Sequence, residues 1–321
     1  MQPPEQMKSR RRRTSRGRVL LGFGGLAIFL FFTSIRGLAG FWTEYLWFDS
    51  LSLSSVWTSV LWAKIGLGLL FTATFFVLLW MNLYIADRLA PKVRPPGPED
   101  ELSRRWQQFT SSRTVLIRSS ISLLFALLVG AGVSSQWQSW LFFTNRVDFG
   151  IVDQQFGIDV GFYVFQLPFL TFVVSWAFAA IIVIFVVTTI QHYLNGGIRL
   201  QGQAGSRVTP QVKAHLSLLL GLLALVKGAG YYLDRYELTL SERGFVTGAT
   251  YTDVKAQLPA LQLLMIVSVF CFGLLIFNIW RRGFTYPIIA VGLWALVASL
   301  AGTIYPALVQ RFQVEPSEST K

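Results

Sequence analysis

Long apolar runs recur along the whole chain, and they constrain its fold more than any other feature. A helix that spans a membrane needs about 20 mainly apolar residues. Seven runs meet that requirement, at 19–36, 57–85, 115–136, 168–190, 214–233, 259–280 and 285–305. The 321 residues are 53% apolar and 14% charged, which argues against a disordered chain or an ordinary soluble enzyme. The sequence therefore predicts an all-α, polytopic membrane bundle of about seven transmembrane helices with structured extracytoplasmic loops.

The apolar runs divide the chain into three parts. Residues 1–18 form a basic cytoplasmic N-terminus, residues 19–305 the seven-helix membrane domain, and residues 306–321 an extracytoplasmic C-terminal tail. The first run is open to two interpretations. Basic residues followed by an apolar stretch are typical of a cleaved signal peptide, but the small-residue cleavage site, at 37–39, is weak. An uncleaved membrane anchor is the favoured interpretation.

The distribution of charge orients the predicted bundle. The formal net charge is +12, and Lys and Arg residues are concentrated before the first run, between the second and third, after the fourth and after the sixth. Positively charged loops remain on the cytoplasmic side. We therefore expect a multi-pass protein of the cell membrane, with a cytoplasmic N-terminus and an extracytoplasmic C-terminus. The basic clusters would face anionic lipid headgroups, which explains the charge without nucleic acid as a partner.

Reactive and metal-ligating residues are few. Cys271 is the only cysteine, which excludes an internal disulfide, and His192 and His215 are the only histidines. The two histidines could approach each other across a short segment, but two imidazoles do not fill a metal site. The sequence has no phosphate-binding loop, zinc-protease motif or nucleophile elbow. We therefore expect no enzyme activity, no cofactor and no metal.

One acidic grouping lies in the predicted external segment 37–56. Glu44 and Asp49 fall among several tryptophans and a tyrosine. Aromatic residues of this kind are typical of the belt at a membrane interface. Glu44 and Asp49 are alternatively candidates for binding a cation or a partner.

A second acidic grouping lies in the predicted external segment 137–167, where Asp148, Asp153 and Asp159 alternate with glycines. Carboxylates on a glycine-rich loop suit a hard cation such as calcium. The spacing does not match an EF-hand loop, and a structured cap over the bundle is the alternative. Residues 160–165 could then form a strand or a re-entrant piece.

Lys227 lies within the fifth apolar run, and an intramembrane charge is by default a functional-site hypothesis. Three interpretations remain open. Its flexible stem could carry the amine to the interface, it could pair with Asp234 or Glu237, or it could line a path for an anion. No Asp or Glu lies deep in any run, which weakens the case for an ion-coupled carrier.

Small residues spaced four apart occur in two of the runs. Ala126 and Gly130 lie in the third run, and Ala224 and Gly228 lie in the fifth. This spacing permits two helices to pack closely.

Three motifs carry a resemblance to a known family. They are Trp-Thr-Glu-Tyr-Leu-Trp-Phe at 42–48, Phe-Gly-Ile-Asp-Val-Gly-Phe-Tyr-Val-Phe-Gln-Leu-Pro at 156–168, and Gly-Ala-Thr-Tyr-Thr-Asp-Val-Lys-Ala-Gln-Leu-Pro-Ala-Leu at 248–261. Together they resemble uncharacterised protein family 0182, whose members are bacterial multi-pass membrane proteins. The resemblance implies a seven-helix N-terminal region followed by a large extracytoplasmic domain, and this chain resembles the membrane region only. It implies no established activity or binding residues.

Two functions follow as hypotheses. In the first, the chain is a membrane anchor or assembly module whose external segments dock or position an extracytoplasmic domain or partner. Asp253, in the third motif, then joins Glu44 and Asp153 as a candidate contact. The alternative is a channel or transporter for a small solute or anion, with Lys227 on its path.

Overall fold

The computed structural model describes residues 16–91, 105, 106, 108, 110, 112–199, 207–241 and 248–318. The chain forms two compact units, Met1–Trp62 and Ala63–Lys321. In the described part the structure is overwhelmingly helical, and it contains no strand beyond two isolated antiparallel bridges, Val152 with Asp159 and Ile198 with Val208. The predicted all-α fold class is confirmed.

The N-terminal unit holds α1 (Arg16–Ser50) and the start of α2 (Ser54–Arg88). Residues 37–50 of the predicted external segment 37–56 are helical and not a loop, because α1 continues through them. No proline interrupts this stretch. Phe41 and Tyr45 pack edge-on against Trp57, with ring centroids 4.9 and 5.0 Å apart, and so join the end of α1 to the start of α2.

Six helical segments of the described chain are long and apolar enough to cross a membrane. They are Ser54–Arg88, Thr114–Thr144, Phe162–Leu194, Pro210–Leu240, Asp253–Arg281 and Thr285–Val314. These segments contain six of the seven predicted spans and confirm a polytopic helical bundle. The first predicted span, 19–36, lies within α1, but most of its side chains fall outside the described residues.

The second unit begins within α2, and where the chain is described without gaps it continues through eight further helices, several of them extended by π or 3₁₀ turns. In chain order these are α3 (Thr114–Gly130), a 3₁₀ turn (Ala131–Gln136), α4 (Trp137–Thr144), a π turn (Phe162–Gln166), α5 (Leu167–Leu194), α6 (Pro210–Glu237), a 3₁₀ turn (Leu238–Leu240), a π turn (Asp253–Gln257), α7 (Leu258–Arg281), α8 (Thr285–Ser299), a π turn (Leu300–Ile304), α9 (Tyr305–Val309), a π turn (Gln310–Val314) and α10 (Glu315–Glu318).

Each of the four π turns stands immediately before a helix whose second residue is proline. These prolines are Pro168, Pro259, Pro306 and Pro316. A proline inside a helix lacks an N–H, and its ring clashes with the carbonyl four residues earlier. A widened turn ahead of it relieves the clash and lets the helix continue. The strand offered for 160–165 is not formed, since 162–166 is a turn of helix.

The main core lies where α2, α3, α5 and α6 meet. Its buried side chains are Phe75, Leu79, Leu83, Ala126, Ala180, Ile184 and Leu219. Both pairs of small residues lie at helix contacts. A side chain at Gly130 would overlap Thr72 Oγ1 of α2, and a Cβ at Gly228 would lie 3.2 Å from Ser268 Cβ of α7. Glycine at these two positions lets the helix backbones approach closely.

Hydrogen bonds identify the two ends of the bundle in the second unit. At one end, Thr171 near the start of α5 donates to Glu237 at the end of α6 (3.0 Å). The segment 145–161 precedes α5 there, and we name this the Asp159 end. At the opposite end, Gln191 near the end of α5 donates to Asp87 near the end of α2 (2.7 Å). We name this the Asp87 end.

Candidate functional site

Asp159 organises the segment 145–161, which joins α4 to α5. Its Oδ1 accepts hydrogen bonds from the backbone N–H groups of Phe149 (3.0 Å) and Gly161 (2.7 Å), and its Oδ2 accepts one from Gly150 (2.8 Å). The bonds from Phe149 and Gly161, followed by that from Gly150, lower the pKa of the Asp159 carboxyl below its ordinary value. The carboxylate therefore closes the segment into a loop whose ends are tied together.

Asp153 braces the same loop from the opposite side. Its Oδ2 accepts from the backbone N–H of Phe156 (2.6 Å) and lies 3.3 Å from the Tyr163 hydroxyl, which donates to it. Two glycines allow this fold of the chain. Gly150 has a φ of +72°, a left-handed conformation that favours glycine, and a Cβ at Gly161 would overlap the carbonyl oxygen of Val147.

The predicted cation site at this loop is replaced by protein hydrogen bonds. Asp153 and Asp159 direct carboxylate oxygens at backbone N–H groups, as small acidic side chains commonly do in turns. Asp148 is exposed, and the structure gives its carboxylate no hydrogen bond. In the part of the chain that the structure describes, no group of three or more His, Cys, Asp and Glu side chains could hold a metal ion.

The braced loop has an apolar side that the bundle leaves uncovered. Phe156 and Ile158 turn inward and pack on Tyr163, Leu233 and Tyr236. Four other side chains remain exposed, namely Val147 (57%), Phe149 (48%), Ile151 (66%) and Val152 (60%). We call these four residues the apolar patch. The loop is held by the five hydrogen bonds described above and by backbone bonds such as that from Val160 N–H to the Ile151 carbonyl (2.8 Å), so the apolar patch has a defined shape.

Asp253 holds the start of α7 at the Asp159 end. It is fully buried, and its Oδ2 accepts from both the N–H (3.0 Å) and the hydroxyl (2.7 Å) of Thr250. The adjacent Thr252 hydroxyl donates to Gln310 Oε1 at 2.6 Å, which ties this helix start to the last part of the chain. The geometry gives Asp253 a role in holding the backbone, since its own side chain is fully buried and faces Thr250.

Glu44 and Asp49 belong to the N-terminal unit. Both side chains are exposed near the end of α1, and neither forms a side-chain hydrogen bond or ion pair with a described residue. Trp42 and Trp47 beside them are also exposed, at 58% and 57%. This arrangement is the one expected of an aromatic belt at an interface.

Lys227 lies near the middle of the span Pro210–Leu240, and it faces aromatic rings. Its Nζ is 4.7 Å from the ring centroid of Tyr231 and 5.8 Å from that of Phe178. The pairing with Asp234 or Glu237 that the sequence offers is not formed, and no carboxylate among the described residues lies within ion-pair distance. Glu237 instead accepts the Thr171 hydrogen bond. Lys227 lines a cavity of about 270 Å³ between α5, α6, α7 and α8.

A polar cluster at the Asp87 end was not predicted. Asp87 Oδ2 lies 3.2 Å from Arg118 Nη1, and Asp87 Oδ1 accepts from Gln191 (2.7 Å) and Asn195 (3.0 Å). The Arg118 guanidinium, only 8% exposed, lies over the rings of Trp80 and Tyr84, 4.4 and 5.0 Å from their centroids. Asp87, Arg118, Gln191 and Asn195 line a cavity of about 380 Å³. The four-residue spacing of Gln191 and Asn195 at a helix end was the available signal.

The two histidines lie beside this cluster. His192 Nε2 and His215 Nδ1 are 3.0 Å apart, which confirms that they approach each other, and both rings are buried. His215 Nε2 lies 3.1 Å from Asn82 Oδ1. Polar side chains of α2, α3, α5 and α6 thus form two neighbouring sets of contacts at one end of an apolar bundle.

The sequence matches the family model described as Uncharacterised protein family (UPF0182) over residues 21–321. A UPF0182 protein of Frankia casuarinae is 41% identical to this chain over 92% of its length, and the match covers 29% of the Frankia protein. A UPF0182 protein of Streptomyces coelicolor is 39% identical over 98% of this chain and 31% of its own length. The chain therefore spans about a third of the curated relatives that it matches. No solved structure matches the chain.

Proposed function

The chain belongs to the Uncharacterised protein family (UPF0182), and on that premise we propose that it is a membrane anchor and assembly module. Its helical bundle would hold, at the Asp159 end, the polypeptide that makes up the remainder of the longer family members. The observation that carries this proposal is the apolar patch, whose four exposed side chains stand on a loop braced by Asp153 and Asp159.

The braced loop suits docking because its shape is set before any partner arrives. Binding a loop that is already ordered avoids the entropic cost of ordering it in the complex. A group of exposed apolar side chains on an ordered loop is a candidate interaction site, with a protein or with membrane. Since the carboxylates are occupied by backbone N–H groups, the side chains offered to a partner are Val147, Phe149, Ile151 and Val152.

The path of residues 310–318 also supports the remainder of the family polypeptide as the partner of the apolar patch. The Thr252–Gln310 hydrogen bond holds residues near 310 against the start of α7, at the Asp159 end. The described chain continues from there to residue 318. A domain joined after this region would leave the bundle at the end that carries the apolar patch, and a covalent tether raises its local concentration there.

The orientation of the bundle is part of the proposal. The Asp87 end is flanked by segments rich in Lys and Arg, which favours the cytoplasm for that end and the extracytoplasmic side for the Asp159 end. A cysteine placed at Asp148 should then react with a membrane-impermeant maleimide in intact cells. A cysteine at Arg207 should react only after permeabilisation. Cys271 is buried and leaves the background low.

Crosslinking in the native membrane tests the docking role. A photoreactive amino acid at Ile151 should capture a polypeptide whose sequence matches the two thirds of the UPF0182 relatives that this chain does not cover. The matched control is the same probe at Ile266, a side chain of nearly the same exposure (63% against 66%) on α7 within a membrane span. That probe should capture lipid only.

Two results bear directly on the interpretation. Val152→Asp changes an exposed side chain, so it should leave folding intact and lower the crosslinking yield at Ile151 several-fold. If the probe at Ile151 captured only lipid in cells that make the full family polypeptide, the apolar patch would be a membrane-contact surface and the docking role would be refuted.

A further inference from the structure

Lys227 is a cation inside an otherwise apolar cavity. The cavity, of about 270 Å³, is lined by Phe178, Leu220, Leu223, Ala224, Lys227, Cys271, Leu275, Ala290, Val291 and Trp294. It lies wholly within membrane-spanning segments. Lys227 is the one lining residue that carries a charge, and no described carboxylate forms a direct ion pair with it; Asp234 interacts with it electrostatically from beyond ion-pair distance.

The surroundings of Lys227 Nζ favour the binding of an anionic ligand beside it. Burying an ammonium group without a counter-ion is costly. The rings of Tyr231 and Phe178, at 4.7 and 5.8 Å, offer only the weaker attraction of a cation for an aromatic face. An anion beside Nζ would supply a counter-charge in direct contact, which Asp234 does not, and in this apolar setting it would interact strongly.

The cavity walls indicate what such an anion would be attached to. Leu220, Ala224 and Leu275 present hydrocarbon, and Cys271 directs its thiol at the carbonyl of Ala290 (3.2 Å), away from any ligand role. Val291 lines the cavity and is 52% exposed on the outer face of α8. The cavity therefore opens toward the region that lipid chains occupy, and its size is near the lower end of ligand pockets, about 300 Å³.

We propose that this cavity binds a single-chain anionic amphiphile, with its carboxylate or phosphate at Lys227 Nζ and its hydrocarbon chain between α5 and α8. The charge complements the unpaired amine, and the chain complements the apolar walls. The site is independent of the docking role of the apolar patch, because the cavity lies within the spans and shares no residue with the loop 145–161.

Trp294 lines the cavity and reports on its occupant. The full chain, purified in neutral detergent, is titrated with a long-chain fatty acid brominated at mid-chain, because bromine quenches nearby indole fluorescence. Subtracting the same titration of Trp294→Phe isolates the Trp294 signal from the other tryptophans. We expect saturable quenching of Trp294 by the brominated acid. A matching brominated alcohol and a short-chain brominated carboxylate should quench it weakly and without saturation.

Substitutions separate charge from shape. Lys227→Met should weaken the apparent affinity by about tenfold or more, in line with loss of a charge-assisted hydrogen bond, and Lys227→Arg should largely retain it. Val291→Phe fills the opening from an exposed position and should also weaken binding. Lys64→Met is the matched control, since Lys64 is an intramembrane lysine of α2 that lies 5.4 Å from the Trp137 ring, outside this cavity.

The outcomes are decisive in both directions. Competition by a long-chain alkyl phosphate that exceeds competition by the unbrominated fatty acid would identify a phosphate headgroup, and the reverse order a carboxylate. Equal quenching by the brominated alcohol would show that charge plays no part and would overturn the proposal. Equal competition by the short-chain carboxylate would overturn it in favour of a water-soluble anion. Loss of the apolar patch function leaves these readouts unchanged, so the two proposals fail separately.

Discussion

His192 Nε2 lies 3.0 Å from His215 Nδ1, and the two rings meet edge to face between α5 and α6. His215 Nε2 in turn lies 3.1 Å from Asn82 Oδ1, while the Asn82 amide group donates to the carbonyl of Leu78 (2.8 Å). A carbonyl oxygen only accepts, so the proton between His215 and Asn82 belongs to His215 Nε2. His215 Nδ1 is then the acceptor for the His192 Nε2–H. In this neutral pair, His192 therefore donates to His215, and His215 donates to Asn82.

The order of donors and acceptors in these two hydrogen bonds predicts the tautomer of both histidines. Spectra of ¹⁵N-histidine-labelled protein in detergent at neutral pH should show a protonated Nε2 and an unprotonated Nδ1 for His192 and for His215. Asn82→Leu removes the terminal acceptor and should release His215 from its single tautomer, with a loss of about 1 kcal/mol of stability for one interhelical hydrogen bond. A protonated Nδ1 at His215 in the unmodified protein would contradict the assignment of His192 as donor and His215 Nδ1 as acceptor.

Arg118 and Asp87 form a nearly buried ion pair, so replacing one partner should be costly. Arg118→Met leaves Asp87 without its cation and removes the guanidinium from the rings of Trp80 and Tyr84. We expect the free energy of unfolding in detergent to fall by about 3 kcal/mol. Arg88→Met is the control, since Arg88 is exposed, and it should cost less than about 1 kcal/mol. Equal effects of the two substitutions would show that the buried pair adds nothing.

The hydrogen bonds of Asp159 predict how the loop 145–161 responds to acid. Its pKa is lowered by the backbone N–H groups of Phe149, Gly161 and Gly150, so the ionised carboxylate stabilises the folded loop. That stabilisation is complete above the ordinary Asp pKa of 3.8 and is lost as the pH falls through the lower pKa of the folded loop. The amide proton shifts of these three residues should titrate together, with a midpoint below 3.8.

Substitution supplies the control for this titration. Asp159→Asn should abolish the shared titration and raise the rate of proteolysis in 145–161 several-fold at neutral pH. Asp148→Asn, at an exposed carboxylate with no described hydrogen bond, should change neither result. A common midpoint above 3.8 would mean that the backbone bonds do not favour the charged carboxylate.

Gly130 predicts a tight helix contact. A Cβ at this position would overlap the Oγ1 of Thr72 and lie close to its Cβ and Cα, so Gly130→Ala must push α3 away from α2. We expect a loss of about 2 kcal/mol in the free energy of unfolding, the usual cost of overpacking. Gly273→Ala is the matched control, because a Cβ there meets no atom within 4 Å. Paired thermal unfolding in the same detergent distinguishes the two variants, and a Gly130→Ala protein as stable as Gly273→Ala would disprove the contact.

Some features of the fold could be read directly from the sequence. Six spans, the close packing at Gly130 and Gly228, and the approach of His192 and His215 were all predicted. These features depend on the length of apolar runs and on residues close in sequence or in adjacent helices. The helical segments that contain the runs 168–190 and 259–280 begin several residues earlier, at Phe162 and Asp253, because a π turn lets each helix continue past its proline.

The partners of the polar side chains could not be predicted in the same way. Asp159 was a candidate cation ligand, but three N–H groups brought together by the loop occupy its oxygens. Asp87 drew no prediction, because Arg118, Gln191 and Asn195 lie 31 to 108 residues away and meet it only when α2, α3 and α5 pack.

A helical membrane bundle follows from local composition, because the hydropathy of neighbouring residues is additive and a run of about 20 apolar residues is stable only when buried in lipid or protein. The pairing of the polar groups follows only from the way the helices pack. The tertiary structure paired Arg118 with Asp87, placed backbone N–H groups on Asp159, and left Lys227 facing aromatic rings and an apolar cavity. Hydrogen bonds and ion pairs act over a few ångströms, so their partners are set by how helices pack and not by their order in the chain.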